Sequence, residues 1–251
     1  MSSPRAVKID RVVDGVRGPI LLLSSIRPGQ PDILSLLAKA SRGRTMYRID
    51  PVEDLSRPGP ISTLRMLAEA YAHQVPRPVA VVGDCAVAAL SVELAEALER
   101  SERAPLVTVL VDPQWPTEGM VARQFAWMRT EVTGEHHAPG ALPPGPRDAR
   151  LTALTAVLAD DIRAMCLRRG MLGRQAELVH DMLLARYRGW LGLLLATAES
   201  DRVGRERHAV VVDSVNVAEP GPNEPDGRSS STATRELIHD LIDRAELERY
   251  S

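Results

Sequence analysis

The chain has 251 residues, 44% of them hydrophobic and 25% charged, with a formal net charge of −2, six histidines and two cysteines. That length supports one sizeable core in one or two domains. The near-neutral charge and an aromatic content of only 3% provide neither the basic field nor the stacking platform of a nucleic-acid-binding protein. Two cysteines, Cys85 and Cys166, make no disulfide framework and no zinc set. The opening "MSSPRAVKID" lacks the apolar stretch of a secretion signal, and the apolar run "GWLGLLLATA" is too short to cross a bilayer. The expectation is a cytoplasmic protein with no membrane partner.

In chain order, "PILLLSSIRPG" predicts a buried strand that leaves through Pro28-Gly29. "PDILSLLAKASRG" puts Ile33, Leu36 and Leu37 at helical spacing, with Gly43 as a stop. "TMYRID" predicts the next strand. "PISTLRMLAEAYAHQV" predicts an amphipathic helix with Leu64, Leu67, Ala68 and Tyr71 on one face. "RPVAVVGDC" reads as a strand running into the helical "AVAALSVELAEALERS", and "APLVTVLVDPQWP" as a strand ending at Asp112-Pro113. Strands that are continuously apolar and alternate with helices predict an α/β fold, a mostly parallel sheet with helices on both faces. In such a sheet the reactive groups belong at the carboxyl ends of the strands, where Cys85 and Asp112 both stand.

From 114 to 200 the strand pattern stops. "TEGMVARQFAWMRTEV" is helical, "HHAPGALPPGPRD" is a Pro/Gly loop, and two long helical stretches follow, "RLTALTAVLADDIRAMCLRRG" and "RQAELVHDMLLARYRGWLGLLLATAE". This segment reads as a helical lid insertion within a core formed by residues 1–113 and 201–251. The sheet resumes at "HAVVVDSVNV", residues 208–217. The polar loop "AEPGPNEPDGRSSSTA" then leads to a last helix, "TRELIHDLIDRAELERY".

The bend "VAVVGDCAVAAL" has the outline of a nucleophile elbow, a sharp strand-to-helix turn that exposes one side chain. Gly83-Asp84-Cys85-Ala86-Val87 keeps the first glycine of G-x-S-x-G and substitutes cysteine for serine. Val87 stands where a small residue usually lets helix and strand approach, and Ala88, one place later, is small. A helix N-terminus favours a thiolate, whereas Asp84 beside it opposes one. The Ala86 N–H is one candidate oxyanion donor, and backbone near Ser25 and Ile26 would supply another. Against this stands the plainer possibility that Cys85 is a small buried residue. Asp112 has its own plain reading as a turn residue before proline, and Asp213 is a second candidate acid.

From about residue 18 to 120 these motifs resemble the thioesterase type of α/β-hydrolase that serves polyketide and nonribosomal peptide assembly lines. "ILLLSSIRPGQPDILSLLAKA" looks like that family's strand, oxyanion turn and helix. "LAEAYAHQVPRPVAVVGDCAVAALSVELAEALE" looks like its helix, strand, elbow and helix, and "LVTVLVDPQWP" like the strand that ends in the triad aspartate. A cysteine elbow is similar to that of the stand-alone Dieckmann cyclases, which release tetramic acids and pyridones with a Cys-Asp-His triad. The resemblance implies Cys85 and Asp112 in that triad and an acyl or peptidyl carrier protein as partner. It also implies no cofactor beyond the phosphopantetheine arm that carries the substrate. The triad histidine should follow the last strand, yet residues 218–234 contain none. His73, His136, His137, His180 and His208 fit less well in chain order than His239. Leu237, Ile238, Leu241 and Ile242 would form the buried face of that helix and leave His239 on its polar side. Trp115 and Trp127 are candidate acyl-binding residues, with Phe125 and Trp190 behind them. Cys166 reads as structural. The pairs Arg168-Arg169 and Arg205-Arg207 could meet an acidic carrier, but a solvated surface explains them equally.

Overall fold

The computed structural model describes residues 7–24, 37, 41–56, 63–102, 106–200, 209–212 and 230–250. In chain order the elements are β1 (Asp10–Val13), β2 (Arg17–Leu23), β3 (Arg44–Ile49), α1 (Pro51–Ser56), α2 (Leu64–Ala72), β4 (Ala80–Asp84) and a 3-10 turn (Cys85–Val87). There follow α3 (Ala88–Glu102), β5 (Val107–Val111), α4 (Glu118–Thr133), α5 (Arg147–Arg168), α6 (Gly173–Ala198), β6 (Ala209–Val212) and α7 (Ser230–Tyr250). They form two compact units, one of residues 1–50, 65–114 and 202–251, the other of 51–64 and 115–201.

The first unit is built on a six-stranded sheet in the order β1-β3-β2-β4-β5-β6. All neighbouring pairs are parallel except β1 on β3. This is the α/β fold with a mostly parallel sheet expected from the sequence, and it is compatible with an α/β-hydrolase-like architecture. Two elements went unread there. Strand β1, "DRVV", is almost wholly exposed, so it carries no apolar signal. Helix α1 is six residues long, too short to show a helical period.

Side-chain alternation along the strands assigns the faces. Ile20, Leu22, Ala80, Val82, Val109, Val111 and Val212 pack with Ile238 and Ile242 of α7 in one core cluster. Gly83 points the opposite way from Val82, and a Cβ there would run into the Ser91 side chain of α3. Helices therefore cover both faces.

At the amino ends of β2 and β3, the guanidinium of Arg44 is fully buried and donates to Asp243 at 2.6 Å and to Glu246 on α7. Arg17 bonds the same two carboxylates at 2.9 and 2.8 Å, and Arg42 reaches Asp240 at 2.7 Å. Burial works against the charge on Asp243 and Glu246. The hydrogen bonds from Arg44 and the other arginines outweigh it and hold both carboxyls below their ordinary range.

The second unit is helical. Thr117 caps α4 by accepting from the Met120 N–H at 3.3 Å, and Gly134, at φ 77°, closes the helix through Thr130 O. Val132, Ile162, Met165 and Cys166 form its core with Val179, Leu183 and Tyr187. Arg129 grips Asp161 with two bonds of 2.7 and 3.2 Å, joining α4 to α5. Residues 51–64 fall in this unit, beside the 114–200 segment that the sequence set apart as the insertion. Their helix α1 lies so close to α6 that a Cβ on Gly189 would overlap the Val52 carbonyl. Gly189→Ala is therefore expected to destabilise this unit by about 1–3 kcal/mol, since backbone cannot yield as a flexible side chain can. Thermal unfolding and protease sensitivity within 51–64 would register it. An unchanged transition would show that α1 is not held there.

Candidate active site

The sheet order reverses around β2. From it the chain moves to β3 on one side and then to β4, β5 and β6 on the other. Crossovers that diverge in this way open a crevice at the carboxyl ends of the strands, the usual ligand position in open α/β sheets. Cys85 and Asp112 lie at that edge. Strands β4 and β5 are in register as far as Asp84 opposite Val111, and the next residue on each strand is Cys85 and Asp112. Both are left-handed, at φ 47° and 45°; among the described residues the one other non-glycine with positive φ is Arg42. For an ordinary residue that conformation costs roughly 1–2 kcal/mol. Two such residues side by side at a sheet edge are strain held in place by their surroundings, a pattern that gathers at functional sites.

The restraints are visible. The Cys85 carbonyl accepts from the Ala88 N–H and, at 2.9 Å, from the Gln114 N–H, which ties the elbow to the segment after β5. The Asp112 N–H donates to Val212 O at 3.0 Å. The 3-10 turn starts at Cys85 itself, and α3 proper only at Ala88. The Ala86 N–H finds no acceptor among the described residues, so it is open to an oxyanion beside Cys85. The Cys85 side is half-buried and Asp112 is exposed.

The glycine pattern is met differently from the expectation. Val87, fully buried, occupies the motif's last position. The close approach of strand and helix falls instead at Gly83 against Ser91, whose hydroxyl donates to Val87 O at 3.1 Å. Sequence reasoning missed Ser91 and Gln114. A lone serine in the apolar face of "AVAALSVELAEAL" was the available signal for the first. Gln114 acts through its backbone and leaves no trace in the sequence.

Ser25 and Ile26, the second oxyanion candidates, lie outside the described residues, as do Asp213, His208 and, of the helix expected at 31–43, residues 31–36 and 38–40; Arg42 and Gly43 are described and lie in a turn. His239 corrects the helical face drawn from the sequence. It is 1% exposed, whereas Leu237 is 48% exposed. The buried stripe of α7 thus runs through Ile238, His239 and Ile242. His239 stands nine residues beyond Ser230, about 13 Å along the axis at 1.5 Å per residue. Asp243, one turn on, already pairs with Arg17 and Arg44 at the amino ends of their strands. The imidazole therefore faces the body of the sheet rather than its carboxyl edge. His73 is exposed on the same unit.

In the helical unit His136 is exposed, His137 meets the Thr133 hydroxyl at 3.0 Å, and His180 meets Asp181 at 3.0 Å. Trp115 is half-buried, Trp127 is 49% exposed on α4, and Trp190 is in the core. Among the described residues no group of three or more His, Cys, Asp or Glu side chains could hold a metal ion, and no helix is long and apolar enough to cross a membrane.

No protein-family model and no curated protein matches the chain. Among solved structures it is similar to a four-domain nonribosomal peptide synthetase, crystallised in its holo form with AMP and glycine. The likeness covers 93% of this chain and 20% of the synthetase, with a TM-score of 0.53 and 16% identity. The chain thus spans a fifth of that protein, and the likeness concerns the fold.

Proposed function

We propose that the protein is a chain-releasing acyl-transfer enzyme acting on a β-ketoacyl-aminoacyl thioester delivered by an acyl or peptidyl carrier protein. One observation carries the reading: the paired left-handed residues Cys85 and Asp112 at the carboxyl ends of adjacent strands. The fold-level likeness to part of a nonribosomal peptide synthetase agrees with such a setting.

In the first step the Cys85 sulfur attacks the substrate thioester carbonyl. A new Cys85 thioester forms, and the phosphopantetheine thiol leaves with the proton that Cys85 gives up. The Ala86 N–H faces the oxyanion of the tetrahedral intermediate. In the second step the carbon between two carbonyls loses its proton, and the resulting enolate attacks the Cys85 thioester. The C–C bond closes a tetramate or pyridone ring, and the thiolate is expelled. Sulfur suits both steps, being nucleophilic near neutral pH and a good leaving group. Asp112, beside Cys85, is the group we propose for proton transfer.

The test is product analysis with a β-ketoacyl-aminoacyl N-acetylcysteamine thioester. A cyclised product with a transient protein adduct is the expected result. Free acid as the sole product would make the protein a thioesterase. Neither adduct nor product, with a carrier protein still bound, would leave a hydrolase fold that binds without turnover.

A further inference from the structure

The packing beneath the elbow turns on one oxygen atom. Ser91 has no solvent exposure, and its neighbours Ala88, Ala89, Leu90 and Val92 are buried as well. A hydroxyl in such a place costs free energy unless it is hydrogen-bonded, and alanine would pack there without that demand. The Ser91 hydroxyl is satisfied by donating to the Val87 carbonyl at 3.1 Å. Its oxygen also fills the notch left by the missing side chain of Gly83. A Cβ on Gly83 would collide with Ser91 Oγ and lie 2.8 Å from Ser91 Cβ. One buried atom therefore abuts Gly83 and holds Val87, the residues two before and two after Cys85.

Cys85 is held left-handed, at φ 47°, and a residue so strained relaxes wherever its surroundings let it. Two routes lead out of that conformation. In the first the Cys85 carbonyl turns, which the Ala88 and Gln114 N–H groups oppose by both donating to it. In the second the end of β4 shifts. Movement within the sheet is opposed because Gly83 pairs with Leu23 of β2 on one side and with Leu110 of β5 on the other. Movement out of the sheet, toward α3, meets the Ser91 oxygen.

We propose that Ser91 is a positioning residue for Cys85: its hydroxyl is a wedge between β4 and the 3-10 turn, and it keeps the thiol at the start of that turn. The proposal rests on the reading of Cys85 as the nucleophile and adds the side chain that holds it in place. Ser91 touches no reacting atom. Its effect reaches the thiol through the backbone of Gly83 and Val87. A thiol at the start of a helix gains reactivity from the N–H groups and dipole there, and the gain fades within a turn. A small displacement of Cys85 is therefore felt as lost reactivity.

Alkylation of Cys85 by iodoacetamide in the folded protein, followed by peptide mass spectrometry, reads the thiol without substrate or turnover. Ser91→Ala removes only the oxygen and should slow the reaction about threefold. Ser91→Gly removes the whole wedge and should slow it about tenfold, while also lowering the melting temperature, because glycine is a poor helix former. The deciding variant is the swap that combines Gly83→Ala with Ser91→Gly and refills the notch from the strand side. The added methyl then has Val87 Cγ2 as a neighbour at 3.7 Å, an ordinary contact. Alkylation should return to within about twofold of the wild-type rate, since the swap conserves volume, whereas the melting temperature stays low because the helix glycine remains. A residue that served packing alone would move the melt and leave the rate. Unchanged alkylation in Ser91→Ala and Ser91→Gly, or a swap that leaves the rate at the Ser91→Gly level, overturns the proposal. If Ser91→Gly does not fold, the Ser91→Ala rate decides alone. Absence of adduct and product in the thioester assay would leave these rates standing, so the two readings fail separately.

Discussion

Cys85→Ala is expected to lose the acyl adduct completely and to lower the rate of chain release by at least about a thousandfold, as removal of a covalent nucleophile does in other acyl-transfer enzymes. The fold should survive. Cys85 is half-buried at a turn, and alanine leaves the Gln114 N–H bond to its carbonyl intact. Cys85→Ser is the sharper variant. Its hydroxyl is a weak nucleophile without a strong base. A serine enzyme that retained more than about a tenth of the activity would mean a base lies within reach of position 85. Asp112→Asn keeps size and backbone demands while removing the charge, and should slow both acylation and ring closure. His239→Gln should cost less activity than Asp112→Asn, because the ring faces the body of the sheet. Intact mass spectrometry for the adduct and a thermal melt for the fold separate chemistry from packing in each case. Full adduct formation by Cys85→Ala would move the nucleophile elsewhere.

The sheet was legible because its strands are buried on both faces. Ile20 to Leu23 and Val109 to Val111 are nearly inaccessible, so each strand appears as an unbroken apolar run. The same burial made Gly83-Asp84-Cys85 stand out as an interruption followed by a helical period. Asp112 was legible for the same reason. Its conformation was not: asparagine and aspartate tolerate positive φ, but the register of β4 against β5 is a non-local property that no local pattern encodes. The reading of α7 failed on a similar point. "LIHDLID" offers two stripes one residue apart. The choice between Leu237 and His239 is made by the depth of the opposing sheet and by the arginines that anchor Asp243 and Glu246, all of them remote in sequence. A buried imidazole is also the rarer solution, so composition favoured the wrong stripe.

Those arginines set the stability of the sheet unit and make it depend on pH. Arg44 has no exposure at all, and its Nη2 serves two carboxylates of α7. Arg44→Met fills much of the same space but leaves Asp243 and Glu246 to Arg17 and Arg42. Removing one partner of a buried ion pair typically costs about 3 kcal/mol or more, a fall of about 6–12 °C in melting temperature for a chain of this size. The sign of the pH effect follows from the lowered pKa values of Asp243 and Glu246. A carboxyl whose folded pKa lies below its unfolded value contributes stability above the unfolded pKa, and loses it as pH falls through the folded one. The gap between wild type and Arg44→Met should therefore be fully open at neutral pH. It should narrow only below the ordinary carboxylate range, near pH 4. Melts recorded from neutral to acid pH measure this directly. A gap that stayed constant to the lowest pH would show that Arg44 acts through packing alone, and that its ion pairs with α7 contribute nothing to holding the helix against the sheet.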